Sequence, residues 1–94
     1  MNTITVMATW TTRPGHHEKS ISRWLDQGHP IGIKVLGSWH AKGEGHGWLV
    51  VQGDPAVIEA ARVAWEDVLD LTVEEVWSDE EARQQLPAII ESTK

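Results

Sequence analysis

Residues Val35–Gly53, VLGSWHAKGEGHGWLVVQG, read as a β-hairpin. Residues 35–41 make one strand, 42–46 the loop and 47–53 the returning strand. The glycine-punctuated loop fits a reversal that needs positive φ. With Ala41 set opposite Gly47, His40 faces Trp48, Ser38 faces Val50 and Leu36 faces Gln52. Side chains alternate across a strand, so these six share one face of the sheet. Val35, Gly37, Trp39, Ala41, Leu49 and Val51 share the other, apolar throughout and suited to packing helices. The first face mixes apolar bulk with an imidazole, a hydroxyl and an amide, the composition of a ligand cavity.

The rest of the chain falls into place around this hairpin. Ile4, Val6, Ala8 and Trp10 alternate with Thr3, Thr5, Met7, Thr9 and Thr11, and this β-branched, period-two run is a first strand. His17, Ile21, Trp24 and Leu25 fall at helical spacing, and Gly28 followed by His29-Pro30 stops a helix over 16–27. Asp54-Pro55 supplies an N-cap acceptor and a proline at the first helical position. Ile58, Ala61, Trp65, Val68 and Leu69 form the buried stripe of that second helix. Leu71, Val73, Glu75 and Trp77 alternate with Thr72, Glu74 and Val76 as a fourth strand. The order βαββαβ predicts an α+β, ferredoxin-like domain with a four-stranded antiparallel sheet and both helices on one face. Residues 1–78 form this domain. Residues 79–94 form a C-terminal helical tail, started by Ser78 and Glu81 at capping-box spacing and carrying an apolar stripe of Ala82, Leu86, Ile89 and Ile90. Pro87 lacks the donor that would reach Arg83, and a break or kink is expected near Leu86. The tail packs on its own domain or on a partner protomer.

Composition excludes several function classes. The chain has 94 residues, a net charge of −6 and only eight scattered Lys and Arg, which disfavours nucleic acid and anionic membrane surfaces as partners. There is no cysteine, so thiol chemistry is excluded and a cytoplasmic location fits. Met1 to Thr12 lacks the basic start and apolar run of a signal peptide, and no apolar stretch approaches the ~20 residues that span a bilayer. All six aromatic residues are Trp, the largest ring, so most must be at least partly buried.

On these alternations the face away from the helices carries Met7, Leu36, Trp48, Val50 and Val76 where a solvated face would be polar. Leaving them in water would make a sticky patch. A two-fold homodimer covers it: two such sheets close into a dimeric α/β barrel. Thr9, Ser38, His40, Gln52 and Glu74 then form the polar lining of its interior.

The βαββαβ layout, the segment Leu36-Gly-Ser-Trp-His-Ala, the glycine-rich turn, and Trp65-Glu-Asp-Val-Leu-Asp-Leu leading to Asp79-Glu-Glu-Ala resemble a bacterial group, domain-of-unknown-function family 3303. The resemblance covers roughly residues 3–86. It implies a dimeric α/β barrel akin in shape to small monooxygenases, muconolactone isomerases and stress-responsive barrel proteins, and it implies no reaction.

His40 is the candidate catalytic residue, because an imidazole in an enclosed cavity can serve as acid or base near neutral pH. Met7, Thr9, Ser38, Trp48, Gln52 and Glu74 are the candidate ligand-binding residues. Trp48 either stacks on a flat ligand or fills the dimer interface. His16-His17-Glu18 and His46 do not make a metal site, since adjacent histidines on a helix point about 100° apart and zinc wants three convergent ligands. Gly43-x-Gly45-x-Gly47 joins two strands and has no helix N-terminus to hold a phosphate. No cofactor is implied. Two functions remain open: a cytosolic homodimer that binds, or binds and transforms without a cofactor, an apolar or aromatic metabolite; or a non-enzymatic interaction or regulatory homodimer with no ligand.

Overall fold

The computed structural model describes residues 3–93. Along the chain run β1 (Ile4–Thr12), α1 (His17–Gln27), β2 (Lys34–His40), β3 (His46–Gly53), α2 (Pro55–Trp65), β4 (Leu69–Glu75) and α3 (Asp79–Thr93). All strand pairs are antiparallel, in the order β2-β3-β1-β4. This is the expected ferredoxin-like α+β domain with a helix appended.

The alternation in β1 does what its sequence requires. Val6 and Ala8 are buried, while Met7 and Thr9 are exposed. Val6, Val51 and Ile58 form the buried core cluster, with Ile4, Ile33, Val35, Leu49 and Val73 packed against it. Each such aliphatic side chain, when fully buried, contributes roughly 1.5–3 kcal/mol. α2 starts as the Asp54-Pro55 pair predicts: the Asp54 carboxylate accepts a hydrogen bond from the Ala56 amide at 2.8 Å, and Pro55 opens the helix.

Three boundaries differ from the sequence reading. α2 ends at Trp65, not beyond Leu69, because Glu66 caps it and the Val68 amide donates back to the Trp65 carbonyl at 3.1 Å. The Arg13 amide in turn donates to the Val68 carbonyl at 2.9 Å, holding the connection against the end of β1. Val68 and Leu69 are buried all the same, but as the approach to β4. β4 therefore runs two residues ahead of its expected start. That shift keeps each side chain on its expected face, since the period is two, but it leaves Trp77 outside the strand and 47% exposed. In α1 the inward stripe is rotated: Ser20 is buried and Trp24 half-buried, whereas Ile21 and Leu25 face outward, Leu25 at 78% exposure.

α1 is tied to the end of α2 by charge. The Arg23 guanidinium donates to both oxygens of Asp67, at 2.8 and 2.7 Å, and lies 5.3 Å from the Trp65 ring centroid. These hydrogen bonds, reinforced by the nearby Lys19 ammonium, hold the Asp67 carboxyl down from its ordinary 3.8 to about 2. A carboxyl whose folded pKa is depressed stabilises the fold above its unfolded value and loses that contribution as pH falls through the folded one. The urea midpoint is therefore expected to drop between pH 4 and about 2 in the native chain, with a flatter profile over that window in Asp67→Asn. Superimposable profiles would show that the pair is not coupled to folding.

α3 begins with the expected capping box: the Ser78 amide donates to Glu81 Oε1 and the Glu81 amide to Ser78 Oγ, both at 3.1 Å. The break expected near Leu86 does not occur, for α3 continues through Pro87 to Thr93. Residues on both sides of Pro87 are exposed, so water can satisfy the carbonyl that the proline leaves without a donor. No residue of α3 is buried, and Leu86, Ile89 and Ile90 are 46–59% exposed. The radius of gyration is 15.6 Å, against roughly 12 Å for a compact chain of this length. The described chain spans 50 × 29 × 19 Å, as a helix that does not fold back on the core would produce.

Candidate functional site

The hairpin pairs in a different register from the one read off its loop. His40 lies opposite Gly47, Trp39 opposite Trp48 and Ser38 opposite Leu49, one residue away from the expected pairing. Between Gly37, opposite Val50, and Val35, opposite Val51, the register shifts again, and Leu36 is the extra residue of a β-bulge. The two shifts have a simple cause. Val35 belongs in the core, and Ser38 and His40 line the same side of the sheet, yet they differ in parity. Only an inserted residue reconciles them. The lone glycine in the strand is the local sign of such a bulge. Gly37 also lies beneath the Trp39 indole, where a Cβ would collide with the ring.

The consequence is that the expected polar face is divided between two surfaces. His40 and Ser38 turn toward the helices. Trp39, expected on the helix-packing face, turns away from the helices to the open face beside Trp48. Met7, Thr9, Trp48, Gln52 and Glu74 stay on the open face, where Thr9 pairs with Trp48 and Thr72, and Met7 with Val50 and Glu74. The Gln52 amide there donates to Thr5 Oγ1 at 3.0 Å. The open face thus carries Met7, Trp39 and Trp48, each at least 41% exposed.

On the helix side lies a cavity of about 130 Å³. Its floor is the sheet, through Val6, Ala8, Trp10, Leu49, Val51, Leu71 and Val73. α1 supplies Ser20 and Trp24, α2 supplies Ile58, Ala61, Arg62 and Trp65, and the loop after α1 supplies His29 and Pro30. His40 is solvent-exposed while lining the cavity, and so marks its rim.

The rim is a row of rings. The His40 imidazole stands edge-on to Trp10 at 5.2 Å between centroids and tilted against Trp24 at 5.5 Å. His29 meets Trp24 from its own side at 4.4 Å. Burial, and next the proximity of His40, push the His29 imidazole below its ordinary value, which favours its neutral form. Arg62 is already engaged, with its Nε donating to Glu59 at 3.0 Å and its terminal nitrogen to Glu66 at 3.4 Å. Among the described residues, no hydrogen bond to the protein engages the side chains of Ser38, His29 and His40, and Ser20, 6% exposed, is not left with a buried hydroxyl lacking a partner. Sequence reasoning missed Ser20, Trp24 and His29 as site residues. Trp24 falls at helical spacing and His29 belongs to a helix stop, and nothing local says that both border one cavity.

No three His, Asp or Glu side chains converge as a metal ion would need among the described residues. His17 instead lies 3.4 Å from Thr12 Oγ1 through its Nδ1. No helix is long and apolar enough to cross a membrane among the described residues.

Fold and site together define a ferredoxin-like α+β domain with a cavity between its sheet and its helices. Residues 5–90 match the family model "Domain of unknown function (DUF3303)", and the chain belongs to that family. No curated protein and no solved structure matches the chain.

Proposed function

We propose that this chain is a cytosolic small-molecule-binding protein that takes an apolar or aromatic metabolite in the cavity between its helices and its sheet. The observation that carries this reading is the cavity itself: apolar walls with a few convergent polar groups are the usual make-up of a ligand site. His40 and Ser38 orient the bound molecule, and His40 is the group placed to exchange a proton with it, so any transformation would run through that imidazole without a cofactor. Met7, Thr9, Trp48, Gln52 and Glu74 serve instead the contact with a second copy of the chain, which covers the open face as a homodimer.

Native mass spectrometry of freshly purified protein tests both parts, reporting subunit number and any retained mass together. A dimer carrying a small molecule is expected. In His40→Ala the retained mass is expected to disappear while the melting temperature moves little, because His40 is exposed. A lowered melting temperature or loss of dimer with no ligand in either protein would count against binding.

The apolar open face favours a second reading, an interaction or regulatory homodimer without ligand. Met7, Trp39 and Trp48 need a cover whether or not the cavity is filled.

A further inference from the structure

Resting on the cavity reading above, we infer that the ligand is a neutral single-ring aromatic bearing a hydroxyl, a phenol in the chemical sense, with its ring among the indoles and its oxygen among His29, His40, Ser20 and Ser38. Size sets the first limit. The cavity measures about 130 Å³, and an apolar cavity of roughly 150 Å³ in another protein holds benzene. One ring fits within it. The walls set the second. Trp10, Trp24 and Trp65 offer faces and edges to an aromatic ring, which gains from offset or edge-on contact beyond the area it buries.

Charge sets the third. Among the described residues the lining holds no Asp or Glu, so an ammonium ligand would find no counter-ion. The one permanent cation of the lining, Arg62, is shared between Glu59 and Glu66 on its own helix and its C-terminal cap. A carboxylate would therefore compete with two carboxylates already in place. What the lining offers besides is a set of hydrogen-bonding groups without formal counter-charges, the two imidazoles of His29 and His40 and the hydroxyls of Ser20 and Ser38. An imidazole nitrogen accepts from a phenolic O–H, and a serine hydroxyl donates to its oxygen.

The test is an NMR titration of the full chain with phenol, benzene, benzoate and benzylammonium. Phenol is expected to bind saturably, shifting the Trp24 indole N–H and the imidazole resonances of His29 and His40. Benzene should bind about tenfold more weakly for want of the hydrogen bond, and the two charged probes more weakly still. Ser38→Ala should weaken phenol several-fold and leave benzene unchanged, a difference that a general loss of structure would not produce. Equal affinity for benzene and phenol would overturn the polar half of the inference. Benzoate or benzylammonium binding as well as phenol would overturn the neutral-ligand assignment while leaving the cavity as a binding site. Failure of all four probes at millimolar concentration would overturn this inference and leave a retained larger molecule, read by mass, as the separate test of the cavity.

Discussion

Ile58→Asp is expected to leave the chain unfolded at neutral pH. Ile58 is the buried residue of α2 and one of the three buried members of the core cluster. Truncating a buried isoleucine costs about 2–5 kcal/mol. An aspartate adds the burden of a carboxylate with no cation inside the core, which in real proteins costs several kcal/mol more unless the group takes up a proton. The total stability of a small domain is about 5–15 kcal/mol, so the two losses together consume most or all of it. The position is sensitive for a structural reason as well. Ile58 meets Val6 on β1 and Val51 on β3, the two central strands, so the helix cannot lift away without exposing the middle of the sheet. Far-UV circular dichroism and a urea titration read the result. A cooperative transition with a midpoint near that of the native chain would show that α2 is not held by this contact. Val57→Asp, one position away and 37% exposed, is the control and should shift the midpoint little.

How far the sequence carries can be judged from three places. The fold order was legible because each element has strong local punctuation: Asp54-Pro55 starts α2, Ser78 and Glu81 start α3, and the threonine-rich alternation of β1 admits one reading. The faces of β1, β3 and β4 were legible for the same reason, and the two-residue shift of β4 did not disturb them. The face of β2 was not legible. A strand's side is decided by one residue of register, and here both the turn and the bulge at Leu36 alter it. That is why the candidate His40 was placed on the wrong face, away from the Trp10 and Trp24 rings beside it. The cavity depends on how α1 rolls against the sheet. Ser20 rather than Leu25 faces inward, which helical spacing alone does not decide when apolar residues occur on both sides.

The second large effect concerns the open face. Trp48→Asp is expected to raise the dimer dissociation constant by at least a hundredfold while leaving the fold intact. Trp48 is 41% exposed in the single chain and projects from a central strand of the sheet, with Thr9 beside it on one strand and Trp39 on the other. Its place on the outer surface means that an aspartate there meets water when the chain is alone, so folding should lose little. In an association through this face the same aspartate would be buried among Met7, Val50 and Trp39. Loss of an aromatic anchor at the centre of an interface costs about 2–4 kcal/mol, and each 1.4 kcal/mol is tenfold in affinity. A two-fold interface uses the patch twice, which doubles the effect per dimer. Sedimentation equilibrium of the native chain and the variant measures it. Leu25→Asp is the matched control: Leu25 is apolar and 78% exposed, but it lies on α1, away from this face, and should leave the association unchanged. The α3 stripe supplies a finer comparison, since Leu86, Ile89 and Ile90 are as bare as the sheet itself. If truncation after Ser78 weakens the dimer as Trp48→Asp does, the helix of one protomer lies on the sheet of the other. If only Trp48→Asp weakens it, the two sheets meet directly. A native chain that stays monomeric at micromolar concentration would remove the second copy from the account and leave the cavity as the domain's only claim to function.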